Sequence, residues 1–226
     1  MLRSIASVYR RRARAKRAAI FLHHLNPSEH DRILDLGSGD GSHMASIIPY
    51  RENVWIADIS VEALERGRKR FGFNTVVLKE NGPLPFADGF FDIVFCSSVI
   101  EHVTVAKDEL AATSSTATFR GAARQRQRAF AAEIVRVGKR YFVQTPNRYF
   151  LLESHTWLPI FVVFLPRRFL VRLIAFLNRW WVKKTSADWH LLTAKELQAL
   201  FPDAKLLRER SFGLTKSLMA VEDRRL

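Results

Sequence analysis

The chain has 226 residues, 48% of them hydrophobic, and carries 36 lysines and arginines against 22 acidic residues, for a net charge of +14. That length suits one domain with a sizeable core, and the excess of positive charge favours anionic partners over cationic ones. The single cysteine, Cys96, excludes a disulfide framework and any cysteine-rich metal site, so no metal is expected and a reducing cytoplasm is the expected compartment.

Half of the net charge lies at the N-terminus: residues 1–18 hold seven basic residues and no acid. The spacing predicts a basic helical arm over 1–25, suited to an anionic membrane surface or to nucleic acid, or simply solvated. The apolar run "AAIFLHHL" that follows the arginines is too short for a secretory signal. Next comes "RILDLGSGDGSHMA", a strand near 32–36 that feeds a glycine-rich turn and a helix start, a layout that brings ligands to a helix N-terminus. Dinucleotides and S-adenosylmethionine both use such turns. A dinucleotide fingerprint needs a third glycine at the position of Ser42, whereas here Gly37, Gly39 and Gly41 give G-x-G-x-G. Asp35 and Asp40 flank the turn, which would repel a pyrophosphate but suit a cationic ligand.

"DLGSGDG" resembles motif I of the class I S-adenosylmethionine-dependent methyltransferases, whose glycine turn passes under the methionine part of the cofactor. A second strand, 53–58, ends in Asp58, about 20 residues beyond the glycines, where an acid suits a ribose diol. The helix after it is expected to take Ser60 as its N-cap. After a third strand, 74–78, the segment "TVVLKENGPLPFADGFFDIVFCSSVIEHV" resembles the next two motifs of the ubiquinone-type, methyltransferase type 11-like group. The resemblance implies cofactor contacts from Asp35, Gly37, Ser38, Gly39, Gly41, Asp58, Ile59 and Ser97. It also places the residue that meets the adenine amino group at Glu80 or Asn81, where the group usually has Asp-Ala. Cys96 falls in the apolar strand 91–96 and reads as a buried thiol, with no Pro-Cys pair to make it a nucleophile.

Residues 104–128, polar and rich in Ala, Ser and Thr, read as a mobile loop or an extended helix start. A fifth strand, 140–145, leads into 146–190, an aromatic-rich insertion at the carboxyl edge where open α/β sheets bind ligands. Its longest uncharged run, His155 to Pro166, has twelve residues, short of the roughly 20 needed to span a bilayer. From there Arg168, Arg172, Arg179 and Lys183 share one helical face, with Phe169, Leu170, Leu173, Ile174, Phe176, Leu177, Trp180 and Trp181 on the rest. That pattern fits a helix lying in a membrane interface, and it equally fits a lid on the sheet or a dimer contact. The tail reads as a helix and two strands, which the resemblance makes the closing pair of a seven-stranded sheet.

Alternation of strand and helix implies a parallel sheet covered on both faces. The expected architecture is therefore α/β, a Rossmann-like class I methyltransferase fold: one domain over 1–226, with a mostly parallel seven-stranded sheet and a hydrophobic insertion after the fifth strand. Methyl transfer from a sulfonium needs no protein nucleophile, only positioning and, for a hydroxyl acceptor, a base. His102, His155 and His190 are candidate bases, and Glu153, two residues before His155, would face the same way in an extended segment. The leading expectation is transfer to a small-molecule or lipid-linked acceptor at the inner face of the membrane. RNA or protein methylation and a non-catalytic cofactor-binding adaptor are the alternatives. Nucleic acid is the weaker partner; against methylation of DNA or of base amino groups, "FCSSVIEH" lacks the Asn/Asp-Pro-Pro-aromatic run used to hold an exocyclic amine.

Overall fold

The computed structural model describes residues 2–106, 109–110, 113–151, 158–180 and 184–223, with side chains from Arg11 onward. Seven strands form one sheet in the order β3-β2-β1-β4-β5-β7-β6. They are β1 (Ile33–Leu36), β2 (Val54–Asp58), β3 (Asn74–Val77), β4 (Phe91–Ser97), β5 (Gly138–Pro146), β6 (Lys205–Ser211) and β7 (Leu214–Glu222). β1 to β5 run parallel, and β7 lies antiparallel to both β5 and β6. The direction of winding reverses between β1 and β4, and the carboxyl ends of these two strands frame the crevice where such sheets bind ligands.

Neighbouring residues on each strand point to opposite faces, so each apolar strand serves two cores. Ile33, Ile56, Ile93, Phe95, Phe142 and Met219 pack against α1 (Leu2–Leu25) through Phe21 and Leu25, α2 (Ser42–Ala45) through Met44 and α3 (Val61–Phe71) through Leu64. On the other face, Leu34, Leu36, Val94, Tyr141, Val143 and Leu218 meet Ala131, Ile134 and Val137 of α4 (Thr116–Val137) and Leu197 of α6 (Ala194–Leu200). The N-terminal basic segment is thus the start of a helix whose second half is core: Ala13, Phe21 and Leu25 are buried, and the Arg140 guanidinium ties the helix end to β5 through Leu25 O at 2.7 Å. Ser60 caps α3 by accepting from the Ala63 N–H.

The segment 104–128 is not a loop throughout. From Thr116 it is helical, because its Ala, Arg and Gln residues favour a helix and the Ser115 hydroxyl caps the Thr118 N–H. The insertion forms a satellite core in which Leu170 and Ile174 of α5 (Arg167–Trp180) pack with Val162, Trp189 and Leu191. Its ends meet, with Asn147 bridged to Leu192 and Arg148 N–H donating to Leu192 O at 3.1 Å. Trp181 and Lys183, expected on this helix, lie outside the described residues. Among the described residues no helix is long and apolar enough to cross a membrane.

Candidate active site

The turn after β1 holds three glycines with positive φ, at 72°, 58° and 66° for Gly37, Gly39 and Gly41. Their roles differ. A Cβ on Gly37 would lie 2.4 Å from a Val99 methyl, and one on Gly41 would press on Ile56 and Phe73 at 2.9 Å, so these two let the turn sit close to the core. A Cβ on Gly39 would meet nothing within 4 Å, which leaves an open face over the turn. Asp58, at the end of β2, accepts from the Gly39 N–H at 2.8 Å and the Ser60 N–H at 2.9 Å, and so fixes the turn to the neighbouring strand. Asp35 Oδ2 and Ser38 Oγ are buried with no hydrogen-bond partner. Orphaned polar atoms of this kind at an open glycine turn fit a ligand that is itself polar and cationic.

Burial, reinforced by Asp58, pushes the Asp35 carboxyl up to about 8. This weakens the charge argument at Asp35, because a carboxyl that favours its protonated form near pH 7 repels a pyrophosphate little. Asp40, held below the ordinary carboxylate range chiefly by Ser42, still would repel one. The glycine spacing also stands.

A cavity of about 710 Å³ opens beside the turn. Gly37, Asp58 and Ile59, from the ends of β1 and β2, line it together with Glu80 and Asn81. The loop that carries Glu80 and Asn81 is held from α4, where Glu133 accepts the Leu84 N–H at 2.7 Å and Arg136 donates to Leu84 O and Phe86 O. His102, Val105, Leu110, Arg126, Phe130 and Asp188 also line the cavity. Of the residues expected to bind cofactor, Asp35, Ser38, Gly39, Gly41 and Ser97 do not line the cavity. Asp35 is buried at the end of β1, Ser38 is a half-buried turn residue whose Oγ is buried, Gly39 and Gly41 shape the turn, and Ser97 donates to Gln144 at 2.8 Å.

The candidate bases separate. His102 lines the cavity and its Nδ1 lies 3.3 Å from Asp188 Oδ2. His190 is buried, with Nδ1 beside Gln127 Oε1 at 3.0 Å and Nε2 beside the Arg148 guanidinium at 3.2 Å. Burial, then Arg148, lowers it to about 4; both of its ring nitrogens are engaged within the protein, and it does not line the cavity. Glu153 and His155 lie outside the described residues. Cys96 is buried, and its thiol is pushed well above its ordinary value by burial and by Glu101 and Asp35.

The sequence points to an acceptor site built from 146–190 together with the end of the fourth strand: Ser98, Val99 and His102, just past β4, line the cavity, and of the described residues of 146–190 Asp188 does. Val105, Leu110 and α4, through Arg126, Ala129, Phe130, Ala132 and Glu133, contribute further wall. The signal was present in the Ala- and Arg-rich run that predicts a long helix, masked by the polar Ser/Thr stretch before it.

A family model described as a methyltransferase domain matches residues 34–140, which spans the glycine turn, the loop at Glu80 and the whole of α4. No curated protein matches the sequence. Among solved structures, an S-adenosylmethionine-dependent methyltransferase from Clostridium acetobutylicum is 11% identical with a TM-score of 0.55, covering 97% of this chain and 97% of that one. A protein from Pyrococcus horikoshii is 14% identical with a TM-score of 0.55, covering 95% and 91%. Geranyl diphosphate C-methyltransferase from Streptomyces coelicolor, solved with Mg²⁺, geranyl diphosphate and S-adenosyl-L-homocysteine, is 14% identical with a TM-score of 0.54, covering 95% and 82%. The chain thus has the Rossmann-like fold of the class I methyltransferases, and its residues 34–140 match a methyltransferase domain of the type 11-like group, a match that supports an enzyme with S-adenosylmethionine as cofactor.

Proposed function

We propose that the protein methylates a small-molecule or lipid-linked acceptor that enters the roughly 710 Å³ cavity beside His102, Val105 and Phe130, with His102 as the base. One observation carries this reading: a single cavity joins the glycine turn and Asp58 to a largely apolar wall bearing one histidine. S-adenosylmethionine, when bound, supplies an activated methyl group and leaves as a neutral thioether. Asp58 would hold the ribose hydroxyls, Ile59 would offer an apolar surface to the adenine, and Glu80 or Asn81 would meet its amino group. Asp35 and Ser38 would serve the methionine end. Val105, Leu110 and Phe130 would exclude water from the acceptor, and His102 would take the proton that the acceptor loses.

The acceptor is best sought at a membrane. α5 leaves Phe169, Phe176 and Trp180 exposed beside Arg168, Arg172 and Arg179, and Phe161 and Phe164 are exposed just before it. Such a surface suits peripheral contact with an anionic bilayer.

Two measurements test the reading. Calorimetric titration should show binding of S-adenosylmethionine and of its demethylated product, with Asp58→Ala weakening it by about 1.5–3 kcal/mol through lost charge-assisted bonds. Incubation of the enzyme and methyl-labelled cofactor with lipid and polar cell extracts should label a component of the lipid fraction. Label confined to RNA or protein would replace the acceptor class.

A further inference from the structure

His102 sits at the turn after β4, while Asp188 belongs to the insertion 86 residues later. What brings them together is a strap formed by residues 188–190. The Thr104 hydroxyl donates to Asp188 O at 2.7 Å, and the His190 N–H donates to Glu101 O at 2.7 Å. The buried Gln127 side-chain amide donates to both Ile100 O and His190 O at 2.9 Å. Three of these hydrogen bonds hold the strap on either side of His102, two of them between groups on buried residues, and the fourth ties Gln127 to Ile100, so the Asp188 carboxylate has little freedom to drift.

From this geometry we infer that Asp188 is the positioning residue for His102. It accepts the Nδ1–H, fixes the tautomer that carries its lone pair on Nε2, and holds the charge that appears when Nε2 takes the acceptor's proton. The inference rests on His102 being the base. In the step, a proton moves from the acceptor to Nε2 as the acceptor takes the methyl group. The imidazolium stands against a carboxylate already ionised, and the proton then passes to water. Burial opposes ionisation of Asp188, yet His102, Ser186 and the local backbone hold its carboxyl down to about 2. It is therefore an acceptor of Nδ1–H throughout the working range and not a proton donor. Acceptors that lose a proton on methylation, such as hydroxyls and acidic C–H groups, are the class this arrangement serves.

The test uses the full chain. Long-range ¹H–¹⁵N spectra of His102, assigned with His102→Gln, should give a single Nδ1–H tautomer in the wild type and a mixed or Nε2–H tautomer in Asp188→Asn. The titration midpoint of His102 should fall in Asp188→Asn by on the order of one pH unit or more. Asp188→Glu should restore part of both signatures, which a merely space-filling role would not. An unchanged tautomer and midpoint in Asp188→Asn would overturn the inference whatever the activity. Label transfer into cell extracts separates this from the parent reading. His102→Gln should abolish it, while Asp188→Asn should lower it about 10-fold or more with calorimetric cofactor affinity intact. Full label transfer by His102→Gln would remove the base and reduce the Asp188 contact to a structural tie.

Discussion

Asp35 is a carboxyl at the end of β1 whose surroundings favour its protonated form, and this has a consequence for both stability and binding. Its folded value of about 8 lies above the ordinary 3.8. Above about pH 4 the unfolded chain therefore loses a proton that the folded chain retains. Stability should fall as pH rises from about 4 to about 8 and then level off. Asp35→Asn should flatten this slope and raise the melting temperature near pH 8, measured by thermal unfolding across a pH series. A cationic cofactor reverses the preference: it favours the ionised carboxylate, so binding at pH 7 should release a proton. Calorimetry in buffers of different ionisation enthalpy would detect that release, and Asp35→Asn should bind more weakly without it. The site's two acids were legible as acids because strand ends followed by glycine or a helix start are recognisable in one dimension. The protonation of Asp35 was not, because it depends on β2 and β4 flanking β1 on both sides and on Asp58 arriving from the next strand.

α5 is divided lengthwise. Leu170 and Ile174 are buried, whereas Phe176 is 62% and Trp180 83% exposed on the flank of the arginine face. The sequence pattern showed the amphipathic period but could not tell which aromatics would be covered. The covered stripe turns out to be aliphatic, packed on Trp189 and Leu191. For the membrane reading this division separates two contributions. In sedimentation with anionic vesicles, Arg168, Arg172 and Arg179 changed together to Gln should remove salt-sensitive binding, about 1 kcal/mol for each cation. Phe176→Ser with Trp180→Ser should weaken what survives high salt without lowering the melting temperature, since neither side chain is in a core. Failure of the wild type to sediment, with RNA shifted in a gel instead, would move the anionic partner to nucleic acid. Arg167, one residue before the exposed stripe, behaves oppositely. It is buried over the Phe119 ring at 3.8 Å and donates to Thr113 O, Ala187 O and Leu110 O. Arg167→Met should cost about 1–3 kcal/mol in denaturant unfolding through the orphaned carbonyls, and should speed amide exchange around 113–116.

At the scale of the molecule, the cofactor end ties together β1, β2, β4 and α4, so its occupation should be felt in global unfolding. At a cofactor concentration about 100-fold above its dissociation constant, linkage gives about 2.7 kcal/mol, a rise of roughly 5–10 °C in the melting temperature for a chain of this size. A scanning experiment with and without the demethylated cofactor measures it, and a shift below about 1 °C would contradict tight binding in the turn. The topology was readable because strand and helix periods alternate cleanly up to Pro146. The path of the insertion was not, because its anchors, Gln127, Thr104 and Arg167, are polar side chains whose partners lie far away in sequence. The bridge between Asn147 and Leu192 makes that insertion a detour that returns to its starting point. Doubling the length of such a closed excursion costs only about 0.6 kcal/mol in chain entropy, and the sheet beneath never registers the change. The exposed outer part of the segment can thus be lengthened or shortened while the cofactor end stays intact, provided the anchors at Arg167 and 188–190 are kept.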